Sequence, residues 1–104
     1  MRLSKRVINI LEENIKKSFG NVNIYLFGSR VDDSKKGGDI DLALETNLSR
    51  EEFRKKKSSL LAMLMRVDFD YQLDVVDFNT KDELLYSEIQ KNYIKLNKEL
   101  VKYE

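Results

Sequence analysis

The 104-residue chain predicts a small α/β (α+β) sandwich in which one mixed β-sheet is flanked by helices. Three observations lead there. The apolar period changes from the three- and four-residue steps of residues 3–19 to the strict alternation of "DIDLALE" at 39–45. Two Ser/Thr-x-x-Glu patterns, Ser49 with Glu52 and Thr80 with Glu83, read as capping boxes that open helices. Between these stretches lie β-branched and aromatic runs, which gives the order helix, strand, loop, strand, helix, strand, helix.

Each element has its own justification. Leu3, Val7, Ile10, Leu11, Ile15 and Phe19 form the apolar stripe of a first helix, which Gly20-Asn21 stops. "VNIYLF" at 22–27 reads as a strand that ends at Gly28. In 39–45, Ile40, Leu42 and Leu44 share one face of a strand, and Asp39, Asp41 and Ala43 share the other. The helix opened by Ser49 runs to about residue 67, with Phe53, Leu60, Leu64 and Val67 inward and Leu61 and Met65 beside them. "QLDVVDF" at 72–78 is a third strand, and the helix opened by Thr80 carries Leu84, Leu85 and Ile89. "YIKL" at 93–96 is a short edge strand before a last helical turn or two.

This length suits a single domain over residues 1–104, without repeats or proline-rich linkers. The 19 basic and 18 acidic residues nearly cancel, so general nucleic-acid binding is not expected and any basic function is local. The longest apolar run, residues 60–65, is too short to cross a bilayer, and residues 1–19 read as an amphipathic helix rather than a secretion signal. The absence of cysteine points to the cytoplasm. With neither histidine nor cysteine, imidazole bases, thiol nucleophiles and the usual zinc sites are excluded. Any enzyme built from this chain works with carboxylates, hydroxyls, amines and a hard cation.

Side chains two apart on a strand point the same way, roughly 6 to 7 Å apart. Asp39 and Asp41 therefore present two carboxylates on one face, and such a pair repels itself unless a cation lies between. Mg2+ or Mn2+ is the expected occupant, because both take oxygen ligands. Asp74, set within "LDVVDF", is either a third ligand or a strand residue facing solvent or a helix N-terminus. Asp77 begins the following turn. Gly28-Ser29, where a strand turns into a short helix, exposes N–H groups suited to phosphate, and Arg30, Lys35 and Lys36 stand close enough in sequence to add charge.

"LFGSR…GGDIDLALE…LDVVDF" resembles the minimal nucleotidyltransferases of the DNA polymerase β superfamily, in a match that spans nearly the whole chain. The resemblance implies a polymerase β-like fold that transfers a nucleoside monophosphate, AMP from ATP in the leading reading, to an acceptor hydroxyl. It implies that Asp39 and Asp41 hold two metal ions and that Asp74 is the third ligand. Gly28 and Ser29 would bind the outer phosphates. Family members often place a small residue and a second glycine after Gly-Ser, where this chain has Val31 and Asp33. Small members are commonly paired with a HEPN-type toxin, as antitoxins that mask it or attach AMP to it. That implies a protein partner, in a homo- or hetero-oligomer.

Two other functions fit parts of the pattern: a binding module that keeps the fold without turnover, and a nucleotide-sugar Asp-x-Asp motif, which normally sits in a much larger domain. The basic run "RKKK" at 54–57 reads as a solvated helix face, most aromatics as core or sheet margin, and Met63 and Met65 as core or interface fillers.

Overall fold

The computed structural model describes residues 3–28, 39–69 and 71–96. Among them lie α1 (Lys5–Phe19), β1 (Asn23–Phe27), β2 (Asp39–Glu45), α2 (Arg50–Arg66), β3 (Gln72–Asp77), α3 (Glu83–Lys91) and β4 (Tyr93–Lys95). The sheet order is β3-β2-β1-β4. β1 runs antiparallel to β2 and β4, whereas β2 and β3 are parallel and joined through α2. The sheet is therefore mixed, as the sequence predicts, with β3 and β4 at its edges. No helix among the described residues is long and apolar enough to cross a membrane.

The alternation of β2 divides the molecule into two apolar layers. Ile40, Leu42 and Leu44 are fully buried, together with Ile24 and Leu26 of β1 and Val75 of β3, against Val7, Leu11 and Ile15 of α1 and Phe53, Leu60 and Leu64 of α2. Phe19 and Phe53 bring the two helices together, with ring centroids 5.1 Å apart. On the other face Phe27 and Ala43 bury Ile89 of α3, with Tyr25, Val76, Phe78 and Leu85 around them. Truncating Leu26 or Leu42 to alanine in such a layer costs about 2–5 kcal/mol.

Local chemistry sets the helix ends. Ser4 caps α1 by accepting from the Val7 N–H at 3.2 Å, and Gly20 closes it at φ +86°. At α2 the expected capping box is present: Ser49 Oγ accepts from the Glu52 N–H, and Glu52 Oε1 accepts from the Ser49 N–H, both at 3.1 Å. The second box is not formed. Asp82 is the N-cap of α3, accepting from the Leu84 and Leu85 N–H groups, while the Thr80 hydroxyl accepts from the Asp82 N–H one turn earlier.

Two expected core positions are also corrected. α2 stops at Arg66, so Val67 lies past its end and is 44% exposed, and Met65, within the helix next to buried Leu64, is turned away from the buried stripe at 79% exposure. Leu84 lies on the outer side of α3 at 84% exposure. The helical turn expected after residue 96 lies outside the described residues.

Candidate active site

The hydrophobic alternation that buries Ile40 and Leu42 forces Asp39 and Asp41 onto the opposite face, at the start of β2. Register then decides their neighbours. Asp41 stands opposite Phe27 on one side and Asp74 on the other, and Asp39 stands opposite Gln72. Directly paired residues share a face, so Asp74, Asp41, Phe27 and Tyr93 form a row across all four strands. The two aspartates expected to work with a third thus have it on the adjacent strand, about 4.8 Å away in the hydrogen-bonding direction.

Gly28 closes β1 beside this row. Its φ is +80°, and a Cβ placed on it would lie 2.6 Å from Asp41 Oδ2. The Asp41 carboxylate therefore packs against the bare backbone where the chain leaves the strand, which only glycine permits. That contact joins the two halves of the predicted motif. Ser29, Arg30, Lys35 and Lys36, like Val31 and Asp33, lie outside the described residues.

The electrostatics of the row are uneven. Asp41 is half-buried, and its carboxyl is pushed above the ordinary value of 3.8, first by burial and then by the charges of Asp74, Asp39 and Glu88. Asp74 is more exposed, and Lys57 Nζ of α2 lies 3.5 Å from its Oδ1. Asp74 thus reaches the shared face with its carboxylate directed to a lysine. Among the described residues no three acidic side chains are gathered closely enough to enclose a metal ion as they stand.

Sequence reasoning missed two of these participants. Glu88 sits on α3 one turn after Leu85 and beside the buried Ile89, so the docking of α3 brings its charge toward Asp41. Nothing in the spacing marks it as different from Lys91, with which it pairs at 3.6 Å. Lys57 belongs to the "RKKK" run that reads as a solvated face, yet it lies four residues after Phe53 and three before Leu60, at the margin of the buried stripe. That spacing was the available signal.

At the other end of the strands Asp77 is structural. It accepts from the Thr46 hydroxyl at 2.9 Å and the Asn79 N–H at 3.0 Å, and the Asn79 side chain donates to the Thr46 carbonyl at 3.0 Å. An open cavity of about 630 Å³ lies there, between the start of α2 and the turn before α3. Its acids, Asp77 and Asp82, already accept from Thr46 and from backbone N–H groups.

The donor set around Asp41 fits a divalent cation. Its donors would all be hard carboxylate oxygens, and the neighbouring charges that, after burial, raise the Asp41 carboxyl are what a positive ion relieves. Such ions, when bound, stabilise the charge that develops on a transferring phosphoryl group. Asp39 and Asp41 would hold them, with Asp74 as the further ligand from β3. The chain itself contributes a rigid strand for the two carboxylates and a glycine that lets the backbone approach them.

A mixed sheet with a glycine-ended strand feeding Asp-x-Asp on its neighbour is the arrangement of a nucleotidyltransferase domain. The model of the family "Polymerase beta, Nucleotidyltransferase" matches residues 5–100, and the chain belongs to that family. No curated protein matches the chain. Several solved structures share its fold. A chain of a toxin-antitoxin crystal structure with AMP-PNP aligns at TM-score 0.62 and 22% identity, over 86% of this chain and 71% of that one. Two structures from Shewanella oneidensis align at TM-score 0.61, each over 90% of this chain and 71% of the other, at 18% and 21% identity. The second of these is a tri-AMPylated HEPN toxin in complex with MNT antitoxin.

Proposed function

We propose that this protein is a metal-dependent nucleotidyltransferase that transfers AMP from ATP to a hydroxyl on a partner protein, a HEPN-type toxin, and so acts as an antitoxin. The observation that carries the reading is the contact between Gly28 and the Asp41 carboxylate, with Asp74 in register beside it. It joins the end of the proposed phosphate-binding turn to the proposed metal ligands. Family membership supports the class of reaction. The similar structures with AMP-PNP and with an AMPylated toxin support ATP as donor and a HEPN protein as acceptor.

In this reading residues 1–104 form one domain, and Ser29, Arg30, Lys35 and Lys36 extend the phosphate site from Gly28. Asp39 and Asp41 hold Mg2+ or Mn2+. Asp74 completes the set and takes up or orients the proton of the attacking hydroxyl. The hydroxyl oxygen attacks the α-phosphorus, the new phosphodiester forms, and pyrophosphate leaves. The protein works in the cytoplasm, where ATP is supplied, as one member of a hetero-oligomer.

A second reading keeps the fold and the partner but not the turnover, so that the protein neutralises its partner by contact. The ion pair between Lys57 and Asp74 is what this reading starts from, since in it Asp74 serves as a salt-bridge partner of α2 rather than as a ligand. Incubation with ATP labelled on the α-phosphate, Mg2+ and the partner toxin separates the two. Transfer predicts label on the toxin that disappears with Asp41→Ala. A stable complex with unlabelled toxin supports masking and contradicts transfer.

A further inference from the structure

We propose that Lys57 is a positioning residue of this site: its ammonium holds the Asp74 carboxylate while no metal is bound and competes with the divalent cation for it. The inference rests on the reading that Asp39, Asp41 and Asp74 take up a divalent cation, and it explains why Asp74 is in register with Asp41 yet directed elsewhere. β3 is an edge strand, so a side chain from the helix layer can reach round its free side to the opposite face. Lys57 is placed to do so, because Phe53 and Leu60 anchor its helix one turn before and one turn after it. Its Nζ stands 3.5 Å from Asp74 Oδ1.

Exposure decides how the contact behaves. The Lys57 and Asp74 side chains are 32% and 61% exposed, so water screens the pair and holding it costs side-chain entropy. A single ammonium at that distance is outweighed by a doubly charged ion bonded directly to the same oxygen, so the pair yields on metal binding. It still lowers apparent metal affinity, because the ion must displace it. Lys57 also keeps Asp74 from adding its full repulsion to Asp41, whose neighbours Asp39 and Glu88 already crowd it with negative charge. The lysine thus serves as a weak stand-in cation that leaves when the metal ion arrives.

Direct titration with Mn2+, following the free ion by electron paramagnetic resonance at fixed pH and salt, tests this without nucleotide or turnover. Lys57→Met is expected to lower the Mn2+ Kd about two- to five-fold. At 1.4 kcal/mol per tenfold that is at most about 1 kcal/mol, the span of an exposed ion pair. Lys57→Arg, which keeps the cation, should stay at the wild-type value. In an Asp74→Asn background Lys57→Met should change nothing. Unchanged affinity in Lys57→Met overturns the proposal, as does an equal tightening in the Asp74→Asn background. If Asp41→Asn weakens Mn2+ binding while Lys57→Met leaves it alone, only this inference fails. If Asp41→Asn also has no effect, the metal site itself is wrong and the inference falls with it.

Discussion

Substituting Gly28 by alanine separates the structural and chemical consequences of one methyl group. Two costs arise. The first is conformational: at φ +80° an L-residue is strained, at about 1–2 kcal/mol for a left-handed backbone. The second is steric, since the new Cβ would lie 2.6 Å from Asp41 Oδ2, with Asp41 Cγ at 3.4 Å and Cβ at 3.5 Å. Only the oxygen is too close, and it is the far end of a side chain that can rotate. The carboxylate therefore moves and the backbone does not, so the steric part appears in metal affinity more than in stability. For a chain of this size about 1–2 kcal/mol corresponds to a Tm lower by about 4–15 °C. Gly28→Ala should show that loss in thermal melts and should weaken Mn2+ binding as much as Asp41→Asn does. In an Asp41→Ala background the stability loss should persist, because the φ strain remains. A Gly28→Ala protein that binds Mn2+ like the wild type would refute the claim that this glycine makes room for Asp41.

Further expectations concern groups with distinct physical roles. The Asp41 carboxyl is raised in the folded state, so its ionisation opposes folding: stability is greater at low pH and falls as pH rises from 3.8 through the raised value. Metal-free Asp41→Asn should accordingly be more stable than the wild type at pH 7, by no more than about 1 kcal/mol for a part-hydrated group, and should lose that advantage near pH 4 in thermal melts. Thr46→Val leaves Asp77 without a 2.9 Å hydrogen bond beside a buried position and should cost about 1–2 kcal/mol in urea denaturation, with Mn2+ binding unchanged. The Tyr25 phenol is pushed up to about 12, by burial first and then by its hydrogen bond to Glu45 at 3.0 Å. In an ultraviolet absorbance titration one tyrosine should ionise last, and Glu45→Gln should lower its midpoint.

The parts of this protein legible in the sequence are those governed by short-range pattern. β2 spans residues 39–45 as predicted, because alternation between core and polar face leaves no other register for Ile40, Leu42 and Leu44. The capping box at Ser49 is equally local. At α3 the local signal was ambiguous, since Thr80 and Asp82 are both cap-type residues two apart, and the aspartate beside the first helical N–H groups won. Val67 could not be placed by periodicity alone, because burial depends on where α2 ends, whereas Met65 lies off the line of Phe53, Leu60 and Leu64. The candidate site divides the same way. Asp39 and Asp41 on one face follow from spacing, and Asp74 beside them follows once β3 is placed next to β2. The Gly28–Asp41 contact, the Lys57–Asp74 pair and the charge of Glu88 are tertiary facts that depend on strand order and on which face each helix covers.

The central claim is that Asp39 and Asp41 hold divalent ions beside the glycine that ends β1. A crystal structure with Mn2+ and a non-hydrolysable ATP analogue, read by anomalous scattering, tests it most directly. Manganese is expected on both carboxylates, with the triphosphate over Gly28 and Asp74 turned from Lys57 toward the metal. Manganese bound elsewhere, with Asp39 and Asp41 free of it and Asp74 still on Lys57, would contradict it.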